Sequence, residues 1–155
     1  MCSVPCRRAS SLLCCATCTL VEFFFQLVSR DLACAAHNDR CCWQDLGPEQ
    51  GVELGLVLQA KDGLTGILLR DNSLGPKGGA GLVPAVERGR HSLTALDISL
   101  NHVGARGGEA LCEALRGQEG MVMINMGVND IGVAGAKALG EALRGMVVLE
   151  KVCVC

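Results

Sequence analysis

Cysteine and histidine are the residues of this sequence whose spacing comes closest to that of a reactive site. Cys15 and Cys18 are separated by two residues, and after fifteen more residues Cys34 and His37 have the same separation. This is the ligand spacing of a zinc ribbon, in which four side chains bind one tetrahedral Zn²⁺ ion. The run between the two pairs is apolar, however, whereas a ribbon has turns and short polar strands there. Because eight of the eleven cysteines fall in the first 42 residues, we interpret the match as chance and predict no metal site and no cofactor.

Neither the histidines nor the glycines form a catalytic pattern. His37, His91 and His102 have no periodic relation to one another or to a serine or an acidic pair. The run GPKGGAG at residues 75–81 is not followed by the Gly-Lys-Ser/Thr of a phosphate-binding loop. A formal net charge of -2 and an aromatic content of 3% also remove the positive charge and the stacking surfaces that nucleic-acid binding requires. The sequence therefore predicts neither an enzyme nor a nucleic-acid-binding protein.

The Cys-rich, apolar segment at residues 1–45 is set apart from the rest of the chain by its composition. Leu20, Phe23 and Leu27 recur at the spacing of one helical face. We therefore expect a helix over residues 20–35 that covers the first of the repeats described below, since the end of a repeat array must be shielded from water. The odd number of cysteines argues against a complete disulfide framework, so reduced thiols and a cytoplasmic location are expected.

Residues 12–28 leave other interpretations of this segment open. As a transmembrane helix the run is shorter than the ~20 apolar residues that span a bilayer, and it contains Glu22. It is nevertheless the one candidate for membrane attachment. As a secretory signal it follows the basic residues Arg7 and Arg8, and a segment without stable structure is the third alternative. A secreted or membrane-anchored protein is thus the alternative to a cytoplasmic one.

An internal repeat organises residues 46–155. Residues 93–120 align without a gap with residues 121–148, at an offset of 28, and an offset of 29 in the other direction finds a copy at residues 64–92. Residues 149–155 begin a further copy, and residues 46–63 resemble the second half of a degraded earlier one. Periods of this length indicate a protein built by stacking one small structural unit.

Each copy encodes a strand, a turn and a helix. Leu96 and Ile98 lie on one side of a short strand because they are two residues apart. The pair Gly107-Gly108 is expected to turn the backbone sharply, after which Leu111 and Leu115 recur at helical spacing. No copy covers its own apolar face, so the copies must stack with their strands in parallel.

An asparagine closes the strand at the same point of three copies, at positions 72, 101 and 129. A side-chain amide has two donor hydrogens and an acceptor oxygen, so it can satisfy peptide groups of a turn that stacking would otherwise bury unpaired. The sequence therefore predicts a structural ladder of Asn72, Asn101 and Asn129.

Pro84 interrupts the pattern in the copy at residues 64–92, where it falls inside the predicted helix. Proline in a helix interior removes a hydrogen bond and costs about 3 kcal/mol. We therefore expect this helix to start late or to be kinked.

The frame L-x-x-L-x-L-x-x-N-x-[IVL]-G-x-x-G, with its period of 28 or 29 residues, resembles the ribonuclease-inhibitor-like subtype of the leucine-rich repeat. The resemblance covers residues 64–155 and implies an α/β fold, a horseshoe-shaped solenoid with parallel strands inside and helices outside. The subtype occurs in ribonuclease inhibitor, in GTPase-activating proteins for Ran and in NOD-like receptors. It implies a protein–protein interaction module without catalytic activity of its own. A GTPase-activating accessory role would need a particular loop residue, and the sequence distinguishes neither Arg70 nor Arg106 for it.

The concave side of such a solenoid is the predicted binding surface. Side chains between the apolar strand residues point there, and we expect them to be free of any role in folding. They mix charges with apolar groups, which suits a protein partner of a kind that the sequence does not identify. The predicted partner-binding residues are Leu68, Arg70, Asp71, Ala95, Asp97, Ser99, Met123 and Asn125.

Overall fold

The computed structural model describes residues 46–154, which form a mixed α/β structure around a parallel four-stranded sheet, as the sequence predicts. The expected helix over residues 20–35, the zinc-like pattern and the apolar run at residues 12–28 lie outside the described residues. The elements in chain order are α1 (Pro48–Gln59), β1 (Gly66–Leu68), α2 (Gly75–Gly81), α3 (Val83–Arg88), β2 (Ala95–Asp97), α4 (Gly104–Ala114), β3 (Met123–Asn125), α5 (Gly132–Leu143) and β4 (Lys151–Cys153).

The strands lie in the sheet in the order in which they occur in the chain, and all of them are parallel. Ile67 is in register with Leu96, Leu96 with Ile124, and Ile124 with Val152. These four residues occupy the same position of the aligned copies. Each copy therefore adds one strand to the sheet, and the offsets of 29 and 28 in the sequence become the strand register.

The core lies between the sheet and the helices. Leu96, Ile98 and Ile124 from the strands are fully buried, and so are Leu111 and Leu115 from the chain of α4 and its C-terminal end. Full burial of a leucine or isoleucine side chain contributes about 1.5–3 kcal/mol. The alternation of the strand and the helical spacing thus converge on one apolar layer, as the sequence indicates.

The glycines of the repeat have different roles from those predicted. Gly75, Gly104 and Gly132 begin α2, α4 and α5 with positive φ angles of 60°, 66° and 64°, a conformation that glycine adopts without steric cost. Gly107-Gly108, in contrast, lies inside α4, so the expectation that this pair turns the backbone is wrong. A Cβ on Gly108 would lie 2.6 Å from Cγ2 of Ile131. The pair therefore admits the side chains of the neighbouring turns.

Pro84 divides the helix of its copy in two, as the sequence predicts. α2 ends at Gly81 and α3 begins at Val83, with Leu82 between them. Pro84 lies in the first turn of α3, where its missing amide hydrogen is not needed for the helix. Leu82 is itself fully buried, so the break keeps an apolar side chain in the core.

The helices α1 and α2 approach each other over glycine. A Cβ on Gly55 would overlap the carbonyl oxygen of Gly81, and a Cβ on Gly51 would lie 2.7 Å from Cα of Gly78. A Cβ on Gly81 would lie 2.6 Å from Cα of Val52. No side chain other than hydrogen fits between these two backbones, so the close packing of α1 depends on the glycines.

Candidate functional site

The sheet face that points away from the helices, here called the open face, carries the side chains between the core residues of each strand. Its first row joins Gly66, Ala95, Met123 and Lys151, in the register of the four strands. Its second row joins Leu68, Asp97, Asn125 and Cys153. The strand register thus brings together the predicted binding residues of different copies on one surface.

Asp97, Ser99 and Asn125 form a hydrogen-bonded group on the open face. The Ser99 hydroxyl and amide donate to Oδ1 of Asp97 over 2.7 and 3.0 Å, and Nδ2 of Asn125 donates to Oδ2 of Asp97 over 3.2 Å. Oδ1 of Asn125 accepts the amide of Gly127 over 3.2 Å, two residues ahead, as Asp97 accepts that of Ser99. Ser99 is buried. The expectation that all residues of this face are free of a role in folding is therefore wrong for these three, which fix the ends of β2 and β3.

The remaining predicted residues of the face are not held in this way. Arg70 and Asp71 are exposed, whereas Leu68, Ala95 and Met123 are half-buried. The described residues give none of these five a side-chain hydrogen bond or ion pair. This leaves two charged and three apolar side chains that a second molecule can contact without first breaking an intramolecular bond.

The rim of the open face has an unusual backbone. Asp71, Leu100 and Val128 occupy equivalent positions, and their φ angles are 61°, 59° and 55°. The left-handed conformation costs an L-residue with a side chain about 1–2 kcal/mol, and a β-branched residue such as valine tolerates it least. The turn that follows each strand therefore imposes a conformation that these side chains alone would not choose.

The three asparagines of the repeat hold this turn in place through their Nδ2 groups. Nδ2 of Asn101 donates to the carbonyls of Ile98 and Ser99 in its own copy and, over 2.7 Å, to that of Leu69 in the preceding copy. Nδ2 of Asn129 donates in the same way to its own copy and, over 2.8 Å, to Ile98. Each amide thus links two adjacent copies.

The asparagine oxygens are less uniform than the nitrogens. Oδ1 of Asn129 accepts the amides of Asn101 and Val103, over 3.1 and 3.3 Å, and Oδ1 of Asn72 accepts the amide of Leu46 over 3.1 Å. Oδ1 of Asn101 is buried and accepts no hydrogen bond from the described residues. Asn129 is therefore the most fully bonded of the three.

Three polar features that the sequence analysis missed connect neighbouring copies. Gln118 is buried and donates to the carbonyl of Val86 over 2.7 Å. Its repeat counterpart in the next copy is Met146, so the alignment gives no signal for it. The ion pairs Lys77–Glu49, Arg88–Asp62 and Arg116–Glu141 also join adjacent copies. They are exposed, and exposed pairs contribute about 0–1 kcal/mol.

The thiols and carboxylates offer no reactive centre within residues 46–154. Burial raises the pKa of the Cys112 thiol to about 12, which suppresses the nucleophilic thiolate. The side-chain hydrogen bond from Lys77 lowers the pKa of the Glu49 carboxyl. No group of three or more His, Cys, Asp or Glu side chains in this part of the chain could hold a metal ion. Of the helices that the structure describes, none has the length and apolar character needed to cross a membrane.

A leucine-rich repeat family model matches residues 90–112. The match spans β2, Asn101 and most of α4, which is one strand, its turn and the helix that follows. No curated protein matches the sequence. The matched repeat, together with the parallel sheet and its strand register, supports a leucine-rich repeat protein, a class whose members generally bind other proteins and are generally not catalytic.

Proposed function

We propose that this protein is a non-catalytic scaffold of the ribonuclease-inhibitor-like subtype, a solenoid that binds a protein partner on the open face as its concave side. The observation that carries the proposal is the group of unbonded side chains on that face. Arg70 and Asp71 offer both charges at the rim, and Leu68 and Met123 offer half-buried apolar surface behind them. Protein interfaces combine an apolar centre with a polar rim in this way.

The hydrogen-bonded group of Asp97, Ser99 and Asn125 gives the proposed surface its rigidity. Two side chains that are already ordered lose little conformational entropy when a partner covers them, whereas ordering a free polar side chain costs about 0.5–1.5 kcal/mol. We therefore assign these three residues to the support of the surface. The residues that we expect to carry affinity are Arg70, Asp71 and Met123.

The experiment compares two surfaces of the same chain by capture from cells. A variant with Arg70→Glu, Asp71→Lys and Met123→Ala alters the open face, and a control with Glu87→Lys and Glu113→Lys alters exposed helical positions with the same number of charge reversals. We expect the first variant to lose the proteins captured by the parent and the control to keep them, while both melt within a few degrees of the parent. Loss in the control alone would assign binding to the helices and contradict the proposal.

The proposed location is the cytoplasm. Cys112 and Cys153 both carry free thiols, which a reducing compartment maintains. Fractionation of cells that express the chain with a C-terminal tag measures this directly, and recovery of the protein from the medium or from membranes would contradict it.

A further inference from the structure

The last strand, β4, is the least covered element of the sheet. Val152 and Val154 occupy the positions of Leu96 and Ile98, yet they are 42% and 37% exposed where those two residues are 0% exposed. Their side chains are directed towards the core side of the sheet, and the described residues provide no further strand or helix beyond them. Five of the seven large apolar side chains exposed in this part of the chain lie in residues 133–154, namely Val133, Val147, Val148, Val152 and Val154.

The hydrogen bonds of β4 show which of its main-chain groups are free for a new strand. The amide of Lys151 donates to the carbonyl of Val122 over 3.1 Å, and the carbonyl of Cys153 accepts the amide of Met126 over 2.8 Å. Lys151 and Cys153 thus use their main-chain groups on β3. Successive residues of a strand direct these groups to opposite sides. The amides and carbonyls of Val152 and Val154 therefore point to the outer edge of the sheet, where the described residues provide no partner.

We propose that this edge pairs with the same edge of a second copy of the chain, antiparallel and about a two-fold axis at Cys153. In that register Val152 faces Val154 of the second copy, and the two residues exchange both of their N–H to C=O hydrogen bonds. Symmetry gives the same pair again on the other side of the axis. All four outward groups of Val152 and Val154 are thereby satisfied, and the apolar side chains of the two edges meet on the core side.

The position of Cys153 makes this register distinct from the alternatives. The two Cys153 residues form a non-hydrogen-bonded pair, in which the Cα atoms of an antiparallel ladder are about 4.5 Å apart. A disulfide accepts Cα separations of about 4.4–6.8 Å, and the Cys153 thiol is exposed and free. In a register centred on Val152, Cys153 would instead face Lys151 of the second copy. A parallel head-to-tail contact with β1 of the second copy would continue into longer chains and keep the Cys153 residues of adjacent copies apart.

The choice of a second copy as occupant follows from this self-complementarity. An isologous interface needs a surface that matches itself after a two-fold rotation, and the outward groups of Val152 and Val154 do so donor to acceptor. No charged side chain lies within the paired residues Val152, Cys153 and Val154. The pairing involves few residues, so the dimer is expected to dissociate on dilution. The proposal does not depend on where a protein partner binds the open face.

The first experiment is sedimentation equilibrium of the full chain with reductant over a wide range of concentrations. We expect a monomer–dimer equilibrium that Val154→Pro weakens about tenfold or more, since it removes one donor from each copy. Val154→Thr keeps the amide and the β-branched side chain and should dimerise like the parent. Leu56→Lys, which charges an exposed apolar residue of α1, should also leave the dimer intact. The thermal melt of each monomer at high dilution verifies that every variant is folded.

The second experiment uses oxidation to read the register, in a Cys155→Ser background. Diamide takes up the two electrons and two protons released when two Cys153 thiols join, and peptide mass spectrometry identifies the bond. We expect a Cys153–Cys153 link between copies that is absent in Cys153→Ser and reduced by Val154→Pro. A monomer at all concentrations, a series of higher oligomers, or a dimer without this link that Val154→Pro leaves unchanged would overturn the proposal.

Discussion

The two ends of the described sheet differ in how completely they are covered. At the β1 end, α1 packs against α2 and α3, and Ile67 is 2% exposed. At the β4 end, Val152 has the same position in its copy as Ile67, through Leu96 and Ile124, and it is 42% exposed. Similar aliphatic residues in similar strands are therefore core at one end and surface at the other. Burial in a repeat array belongs to the boundary between two copies rather than to one copy.

The largest expected effect comes from removing a side chain at a complete boundary and the matching one at the bare end. Leu96→Ala should lower the free energy of unfolding by about 2–5 kcal/mol, as large-to-small changes in a packed core do. Val152→Ala at the equivalent position should cost much less in the monomer, because its side chain is already partly in water. Urea unfolding at low protein concentration measures both. Equal losses would show that the β4 end is covered in solution.

The second effect tests whether the glycines of α1 create the covered end. Gly55→Ala places a Cβ on the carbonyl oxygen of Gly81, so α1 must move away, and overpacking of this kind costs about 1–3 kcal/mol or more. Gly140→Ala is the matched control, since a Cβ there meets nothing within 4 Å. That change should stabilise the protein by about 0.4–1 kcal/mol through the unfolded state. Thermal melts in which the two variants shift in the same direction would argue against this role for Gly55.

The third effect compares two steps of the asparagine ladder. Asn101→Ala should cost about 1–3 kcal/mol because it leaves buried carbonyls unpaired. Asn129→Ala should cost more, since it also strands the amides of Asn101 and Val103, which donate to its oxygen. Urea unfolding of both single variants provides the comparison, with Asn72→Ala as a third step. The opposite order for Asn101 and Asn129 would mean that their oxygens do not differ as described.

The smallest effect concerns the cysteines of the middle and the bare end. Burial raises the pKa of Cys112 to about 12, so the unfolded chain releases this proton at a lower pH than the folded one. The contribution of the neutral thiol is complete below the unfolded pKa and is lost as the pH rises through the folded value. Between about pH 9 and 12 the parent should therefore lose up to about 1.4 kcal/mol per pH unit relative to Cys112→Ala.

Reaction with a thiol reagent supplies the control for that titration. At neutral pH the exposed Cys153 should react in the native protein, whereas Cys112 should react only when the chain unfolds. Fast labelling of native Cys112, identified on its peptide, would remove the buried thiol as the cause of any alkaline loss of stability.

The sequence allowed the strands and their register to be predicted, because apolar residues two apart and two equal offsets depend on the chain alone. It did not reveal the polar support on the open face. Asp97 has the same polar character whether its carboxylate is free or accepts the hydroxyl of Ser99, and only the turn after β2 brings the two together. The glycines of α4 were misassigned for a related reason. Gly108 signals a small residue, but whether a turn or a neighbour such as Ile131 requires it depends on the packing.

The ladder also determines where a repeat of this kind can change its length. Its hydrogen bonds fix the number of residues from the strand to the turn, and that number is the same in all three copies. The additional residue of the longest copy lies between Val86 and Leu93, in the return from helix to strand, where the next copies have one residue fewer between Leu115 and Met121 and between Leu143 and Leu149. An insertion there lengthens a surface return and leaves the asparagine contacts unchanged. Gene duplication can therefore join repeats of 28 and 29 residues without disturbing the sheet.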